Sequence, residues 1–465
     1  MGGAAIVGKV IAFLAHVALG WLLFADDFRV YALVLSLTVI VSALRDGGTG
    51  RVLLQQGSQF ADIASPVFRI ALGFNVAAAL ILGAIAPAAA SFYGEPKLTA
   101  LILIVAVSIP LGTPASIFRC GLAVNTRFKE LAGIDAKSGL LRSGSMVLFA
   151  YIGFGVWSFV LPSILVPIYE WWAMRRANGP IPRGQLLTRE LCRKLLKASR
   201  WVMLATPAIS LIMRGDYLVV GKQSIELLGS YFFGFQLIGS LSAPVSAAIM
   251  LVVMPMLAKV KDDPVRMGAS FVRASRYLAL AIAPVSFGSA LVAAPLTDML
   301  WQGKWNQAVP VVQVMAIALI PMMLGNLSLS VLESVARWRL RTNLLWIHAI
   351  SVLLAAFYGA STGSLFQLSI WIAAAHGVNG LMQSILATKL VGVNQSVYFR
   401  GVAGSVILSA IAFCGVILVV TRILPMETAI QQLLTSAGLF TATICVGYYL
   451  FLRRSLTEIR QLSGR

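Results

Sequence analysis

The sequence is poor in charge, and poorest in acid. Only 12% of its 465 residues are Asp, Glu, Lys or Arg, where an ordinary soluble domain carries roughly 25%. Acidic residues number 17 and histidines three. So few carboxylates leave little material for paired general acids and bases, and no HExxH, GxSxG or DxD-type cluster occurs. His16, His348 and His376 lie far apart, on different expected helices. Cys120, Cys192, Cys414 and Cys445 are scattered without a CxxC pair, which suggests neither a zinc site nor a disulfide framework. "GGTGRVLLQQG", residues 47–57, has the wrong spacing for either G-x-G-x-x-G or G-x-x-x-x-G-K-[ST]. An integral-membrane glycosyltransferase is disfavoured, because the chain has no acidic cluster and no large polar region.

What the chain has in abundance is apolar length. It is 59% hydrophobic, with a mean hydropathy of +0.87. Leu98–Phe118, Leu227–Ala258, Tyr277–Thr297, Trp305–Leu332, Gly401–Thr421 and Thr428–Leu452 are long and nearly free of charge. A helix crosses the bilayer core with about 20 apolar residues. The expected class is therefore an all-α integral membrane protein. About fourteen spans are expected, centred roughly on residues 15, 36, 78, 108, 144, 164, 208, 242, 287, 320, 351, 378, 411 and 441. The opening "MGGAAIVGKVIAFLAHVALGWLLFADD" reads as the first span rather than a cleavable signal. "GASTGS", residues 359–364, splits an apolar stretch too long for one span. The fifth span is the most polar, with Asp135, Lys137 and Arg142.

The formal net charge of +20 does not call for nucleic acid. Laid over the expected spans, 31 of the 37 basic residues fall on one side, including the run Arg175–Arg200. The other side keeps Arg29, Lys97, Arg214, Lys222, Lys304 and Arg422. By the positive-inside rule the basic side is cytoplasmic, and both termini lie there.

Weak internal similarity accompanies this alternation. "YALVLSL" from Tyr31 parallels "YFFGFQL" from Tyr231, and "AVSIPLG" parallels "AIALIPMMLG", matching Pro110 with Pro321. Turns precede the second pair ("SFYGEPK", "MLWQGKW") and basic exits follow it ("NTRFK", "ARWRLRTN"). Two six-helix lobes related by a pseudo-two-fold axis around a central cavity are expected, with two further C-terminal helices. The lobes would be residues 1–174 and 199–391, joined by a basic cytoplasmic linker at 175–198, and 392–465 would hold the additional helices and a basic tail.

Many prolines fall inside expected spans, among them Pro87, Pro110, Pro114, Pro162, Pro167, Pro207, Pro244, Pro255, Pro284 and Pro321. Bent helices around a cavity suit alternating access. Ionisable groups within a bilayer mark substrate or ion paths. Arg142, Arg214 and Asp216 qualify best. Arg214 and Asp216 could instead pair with each other at the outer rim, and Arg45 and Arg51 could be topology signals alone. Arginines outnumber acids inside the membrane, and the guanidinium fork matches phosphate, so an anionic lipid phosphate is the expected substrate chemistry. The candidate ligands of a diphosphate and its sugars are Arg45, Arg51, Gln55, Arg119, Arg142, Arg214 and Arg337. His16 and Asp216, equivalent at an offset of 200 residues, are candidates for coupling to a Na+ or H+ gradient. Glu170, Trp171 and Trp172 look like an interfacial belt.

The elements "YALVLSL…LRDGGTGRVLLQQ", "ASFYGEPKLTALI", "TRFKELAGIDAKSGLL" with "GFGVWSFVLPSIL", "RGDYLVVGKQSIELLGSYFFGFQL" and "WQGKWNQAVPVVQVMAIALI" occur in order. In that order the chain resembles the polysaccharide transporter family of the multidrug/oligosaccharidyl-lipid/polysaccharide superfamily, Wzx-type flippases in particular. Within the resemblance, Gly47, Gly48 and Gln55 match the element after the second span, and Asp216 matches a recurrent aspartate of the seventh. Arg337 is kept from the small-Gly-Arg element of the tenth span, where Ala336 replaces the glycine. The resemblance implies a flippase carrying undecaprenyl-diphosphate-linked oligosaccharides from the cytoplasmic to the periplasmic leaflet, in a bacterial inner membrane. No cofactor beyond an ion gradient is implied. The implied partners are the lipid-linked oligosaccharide, membrane lipids, and a polysaccharide polymerase with its chain-length machinery. A peptidoglycan-precursor flippase or an ion-coupled exporter of the superfamily is the alternative, and a non-transporting scaffold of a polysaccharide assembly complex is the alternative of another class.

Overall fold

The computed structural model describes residues 2–41, 44, 50, 53, 60–181, 188–240, 263–423 and 428–451. Among them every regular element is a helix. In chain order these are α1 (Gly2–Leu22), α2 (Ala25–Val41), α3 (Phe60–Tyr93), α4 (Lys97–Leu111), α5 (Thr113–Val124), α6 (Phe128–Tyr151), the single turn α7 (Trp157–Val160), α8 (Pro162–Asn178) and α9 (Arg189–Gln223). After them come α10 (225–240), α11 (Pro264–Trp301), a 3-10 turn at Asn306–Ala308, α12 (Val309–Ser334), α13 (Trp338–Ser361), α14 (Leu365–Leu390), α15 (Gln395–Arg422) and α16 (Ala429–Phe451). Among the described residues, nine helical stretches are long and apolar enough to cross a membrane. The chain is thus a multi-pass, all-helical membrane protein. The expected centre at residue 242 lies outside the described residues.

The chain forms two compact units, Met1–Phe232 and Phe233–Arg465. In the first, α9 packs along α2, and α1 along α6. In the second, α12 and α14 share the most extensive interface, and α13 packs on α14. Contacts therefore group α9 with the first unit, although the sequence similarity makes it the opening helix of a second repeat.

Helix ends are set by ordinary capping chemistry. Thr188 accepts the amide of Leu191 (3.2 Å) at the start of α9, and the Asn394 side chain accepts that of Ser396 (2.8 Å) at the start of α15. In "GASTGS", α13 stops at Ser361, Gly363 takes φ +67°, and Ser364 caps α14. Two of the prolines expected to bend helices do something else. Pro114 and Pro162 sit in the first turns of α5 and α8, where a missing N–H costs nothing. Pro87, Pro110, Pro167, Pro207, Pro284 and Pro321 do lie within helices. Pro244 and Pro255 lie outside the described residues.

The basic exits match in backbone geometry. After α5, Thr126 has φ +55°, and the Arg127 amide donates to Leu122 O (2.9 Å); after α12, Ala336 has φ +57°, and the Arg337 amide donates to Leu332 O (3.0 Å). Both arginines then take the N-cap of the next helix. The same 210-residue spacing relates Gly153 (φ +94°) to Gly363. Ala336 thus keeps the left-handed turn without glycine. Left-handed backbone costs a residue with a Cβ roughly 1–2 kcal/mol. Ala336→Gly is expected to stabilise the protein by about 1 kcal/mol, read as a higher thermal unfolding midpoint in detergent.

Candidate functional site

The first unit holds a cavity of about 440 Å³ with a half-polar lining. Tyr31 and Thr38 from α2, Asn75 from α3, Ser108 from α4, Ser116 and Arg119 from α5, Arg142 from α6, Glu170 from α8 and Arg214 from α9 all face it. Three arginines from three helices thus converge, against one lining carboxylate. The local reasons are plain. In α6, Arg142 lies one turn from the buried Ser138 and Ser145, and its longer side chain reaches the cavity from that face. In α5, the apolar face of Ala115, Ile117, Phe118 and Leu122 is buried, so Arg119 sits half-exposed at its edge.

The three arginines are not equivalent. Arg119 is held by Asp135 through both carboxylate oxygens (2.9 and 2.6 Å), with Glu170 at 3.9 Å. Its charge is already balanced. Arg214 donates to Thr38 Oγ1 at 3.3 Å, a neutral partner. Arg142 makes no ion pair among the described residues, and it and Arg214 are both near enough to act electrostatically on Tyr31. Two guanidinium groups therefore keep their charge available to an anion, in a region where low dielectric strengthens any pairing. Tyr31 stacks on Phe159 (centroids 4.4 Å apart, planes 8° apart), which makes an aromatic wall beside them.

The structure separates Arg214 from Asp216, overturning the reading in which they pair. Asp216 turns the other way, is 2% exposed, and accepts the Tyr231 hydroxyl (2.6 Å) and the Tyr217 amide (3.0 Å). His16 lies edge-on to Phe28 (6.2 Å), and neither it nor Asp216 lines the cavity. Arg337 belongs to the second unit, exposed at the start of α13. Arg45, Arg51 and Gln55, with Gly47 and Gly48, lie outside the described residues. Glu170 is not a belt residue: it faces the cavity and Arg119, while Trp171 and Trp172 are exposed and Arg176 covers the Trp172 ring (5.2 Å). The missed signal for Glu170 was an acid about two helical turns into α8.

One polar layer was missed altogether. In the second unit His348 Nε2 and His376 Nδ1 approach to 2.9 Å, and Gln383 Nε2 faces His348 Nδ1 at 3.5 Å. The Asn379 amide donates to Ser351 (2.6 Å) and Ala375 O (2.8 Å); Ser384 joins Ser328 and Tyr398, each at 3.2 Å. Spacing could have suggested it, because His376, Gln383 and Asn379 recur at helical intervals on one face of α14.

Taken together, the helices and the arginine-lined cavity define a membrane transporter fold. Comparison with known proteins agrees. The model of the family described as "Polysaccharide biosynthesis protein" matches residues 18–310, and the chain belongs to that family. It is 24% identical to the teichuronic acid biosynthesis protein TuaB of Bacillus subtilis (strain 168), over 80% of this chain and 78% of that one. It is 25% identical to the succinoglycan biosynthesis transport protein ExoT of Rhizobium meliloti (strain 1021), over 75% and 71%. The lipid II flippase MurJ, in an inward closed conformation, has the same fold, with a TM-score of 0.75 at 11% identity over 97% of this chain and 98% of MurJ. The chain is a membrane transporter of polysaccharide biosynthesis.

Proposed function

We propose that the protein is a flippase that moves undecaprenyl-diphosphate-linked oligosaccharide repeat units from the cytoplasmic to the periplasmic leaflet, feeding O-antigen or exopolysaccharide assembly. The observation that carries this reading is the convergence of Arg142 and Arg214 on one cavity with no carboxylate claiming them. A cavity for cationic drugs needs the opposite polarity. In the proposal the diphosphate is held by these two guanidinium groups, bidentate by preference, and a sugar packs against Tyr31. Arg119, tied to Asp135 and Glu170, sets the cavity wall and gives up part of its charge only if those pairs open. Arg337, Arg45, Arg51 and Gln55 would receive the headgroup elsewhere on its path.

Within this reading the sequence repeats are two six-helix lobes, 1–174 and 199–391, joined by the 175–198 linker and followed by two helices in 392–465. Rocking of the lobes gives alternating access. The membrane is the bacterial inner membrane, with both termini cytoplasmic, as the basic side requires. Asp216, a buried carboxylate with a single hydroxyl partner, and His16 are the proposed points of Na+ or H+ coupling. A polysaccharide polymerase and its chain-length machinery would receive the product.

A second reading is supported by the fold shared with MurJ. The peptidoglycan precursor also carries a polyprenyl diphosphate and would meet the same arginines. Complementation separates the two, and separates both from an ion-coupled drug exporter. The protein is expected to restore surface polysaccharide in a strain lacking its flippase, and not viability to a strain depleted of its lipid II flippase. Restored viability without surface polysaccharide would reverse the assignment. A non-transporting scaffold would keep function after both cavity arginines are neutralised.

A further inference from the structure

We propose that the buried His348–His376 pair is a proton-binding site that governs the packing of α13 on α14, so that the second unit has its own point of entry for a proton gradient. The site is independent of the diphosphate reading, since it lies in the other compact unit.

The geometry is that of a directional relay. His376 is 1% exposed, His348 8%, Gln383 2% and Asn379 2%. An amide nitrogen can only donate, so Gln383 Nε2 (3.5 Å) marks His348 Nδ1 as the bare, accepting nitrogen. The His348 proton is then on Nε2 and is donated to His376 Nδ1 across 2.9 Å. Each neutral ring carries one proton, that of His348 lying in the hydrogen bond between the rings, and the basic nitrogen that remains is His348 Nδ1, held by Gln383. A further proton enters there. It converts the acceptor to a donor, which Gln383 meets by turning its amide to present Oε1. Gln383 Oε1 lies against Gly325, where an added Cβ would stand only 2.6 Å from it, so the turn depends on the bare glycine there. The pair then carries one positive charge, and a second is opposed by like-charge repulsion.

Among the described residues, nothing packed around the pair offers a compensating carboxylate. On α13 the nearest charges are Arg341, bound to Glu333 of α12 at 3.5 Å, and Arg339, about two turns toward the helix start. Tyr358 is exposed at the far end of α13, Lys389 is exposed at the end of α14, and Arg400 and Arg422 lie on α15. Tyr398 of α15 reaches the layer through the serine hydroxyls of Ser384 and Ser328. The neutral acceptor Asn379 Oδ1 is buried without a hydrogen-bond partner, one turn from His376. An added charge therefore meets amides rather than anions, in a segment where an unpaired charge is costly. The tight α13–α14 packing must loosen or take in water to hold it.

The chain has three histidines, so ring nitrogens can be followed individually by 15N NMR. In the full-length His16→Gln protein in detergent, titrated from about pH 8 to about pH 4, His348 and His376 are expected to take up one proton between them as a single linked step. Gln383→Leu removes the acceptor and is expected to lower the midpoint by about one pH unit, and Gln383→Glu to raise it by at least as much. Backbone protection factors in α13 and α14, with the intrinsic pH dependence of amide exchange divided out, are expected to fall across the same step, and to show no such fall in His348→Asn/His376→Asn. Thermal melting confirms that each variant is folded. Ring signals constant to pH 4, two independent steps, or protection that falls equally in the double variant would overturn the proposal.

Discussion

Replacing Arg142 with glutamine is expected to lower transport of a diphosphate-linked glycan by at least about tenfold, while insertion and thermal stability stay near those of the parent. A hydrogen bond to a charged group contributes about 1.5–3 kcal/mol, and about 1.4 kcal/mol is a factor of ten. Arg142 makes no ion pair among the described residues and is exposed to the cavity, so its removal leaves no protein carboxylate stranded. Arg214→Gln should act in the same direction, and the double variant should lose more than either alone. Arg119→Gln is the informative contrast. It strips two hydrogen bonds from Asp135 and removes the cation that, among the described residues, lies within ion-pair distance of Glu170. It should therefore reduce stability and transport together. A transport assay on protein normalised for membrane insertion, paired with a melting curve, distinguishes the two patterns. If Arg142→Gln transports at the parental rate, the cavity does not hold the phosphate.

The second large effect concerns folding. Gly380→Leu is expected to abolish stable insertion or lower the melting point by many degrees, whereas Gly139→Leu should be tolerated. A Cβ on Gly380 would collide with the Pro321 carbonyl across the α12–α14 interface, and one on Gly325 would stand 2.9 Å from the Gly380 Cα. The obstructing atoms are backbone, which cannot rotate away. At Gly139 nothing lies within 4 Å of an added Cβ. Membrane helices gain affinity from such close approach, since lipid offers no hydrophobic drive between them. Overpacking ordinarily costs about 1–3 kcal/mol, and a backbone clash at the most extensive helix interface of the unit belongs at or above the upper end. Gly380→Ala should be intermediate, because a methyl needs a smaller helix displacement.

The helical class was legible because the bilayer demands it: apolar runs of sufficient length have no other stable solution. Turn positions were legible where chemistry is local, as at Gly363 with Ser364; the left-handed turns at Thr126 and Ala336 were not, because neither residue is a glycine. Which arginines meet was legible only in part. Arg142 stood out as a charge within a span, and it does face a cavity. That Arg119 is neutralised by Asp135 and Glu170 depends on how α5, α6 and α8 pack, which no single helix encodes. The same limit hid His348 and His376. They are 28 residues apart on consecutive helices, and their meeting is fixed by the turn at residues 362–364 and the register that follows from it. Arg214 and Asp216 show the converse. Two residues apart on a helix, they point about 200° from one another, so their separation could have been read from sequence alone.

The most direct measurement is leaflet-to-leaflet transfer in liposomes. The purified protein is reconstituted with a polyprenyl-diphosphate-linked oligosaccharide, and a membrane-impermeant probe reports the sugar on the outer face, with a proton or sodium gradient imposed in turn. The account predicts transfer well above protein-free liposomes, suppressed by Arg142→Gln/Arg214→Gln. A chain that folds and inserts but leaves the glycan on its original side under every gradient would contradict it.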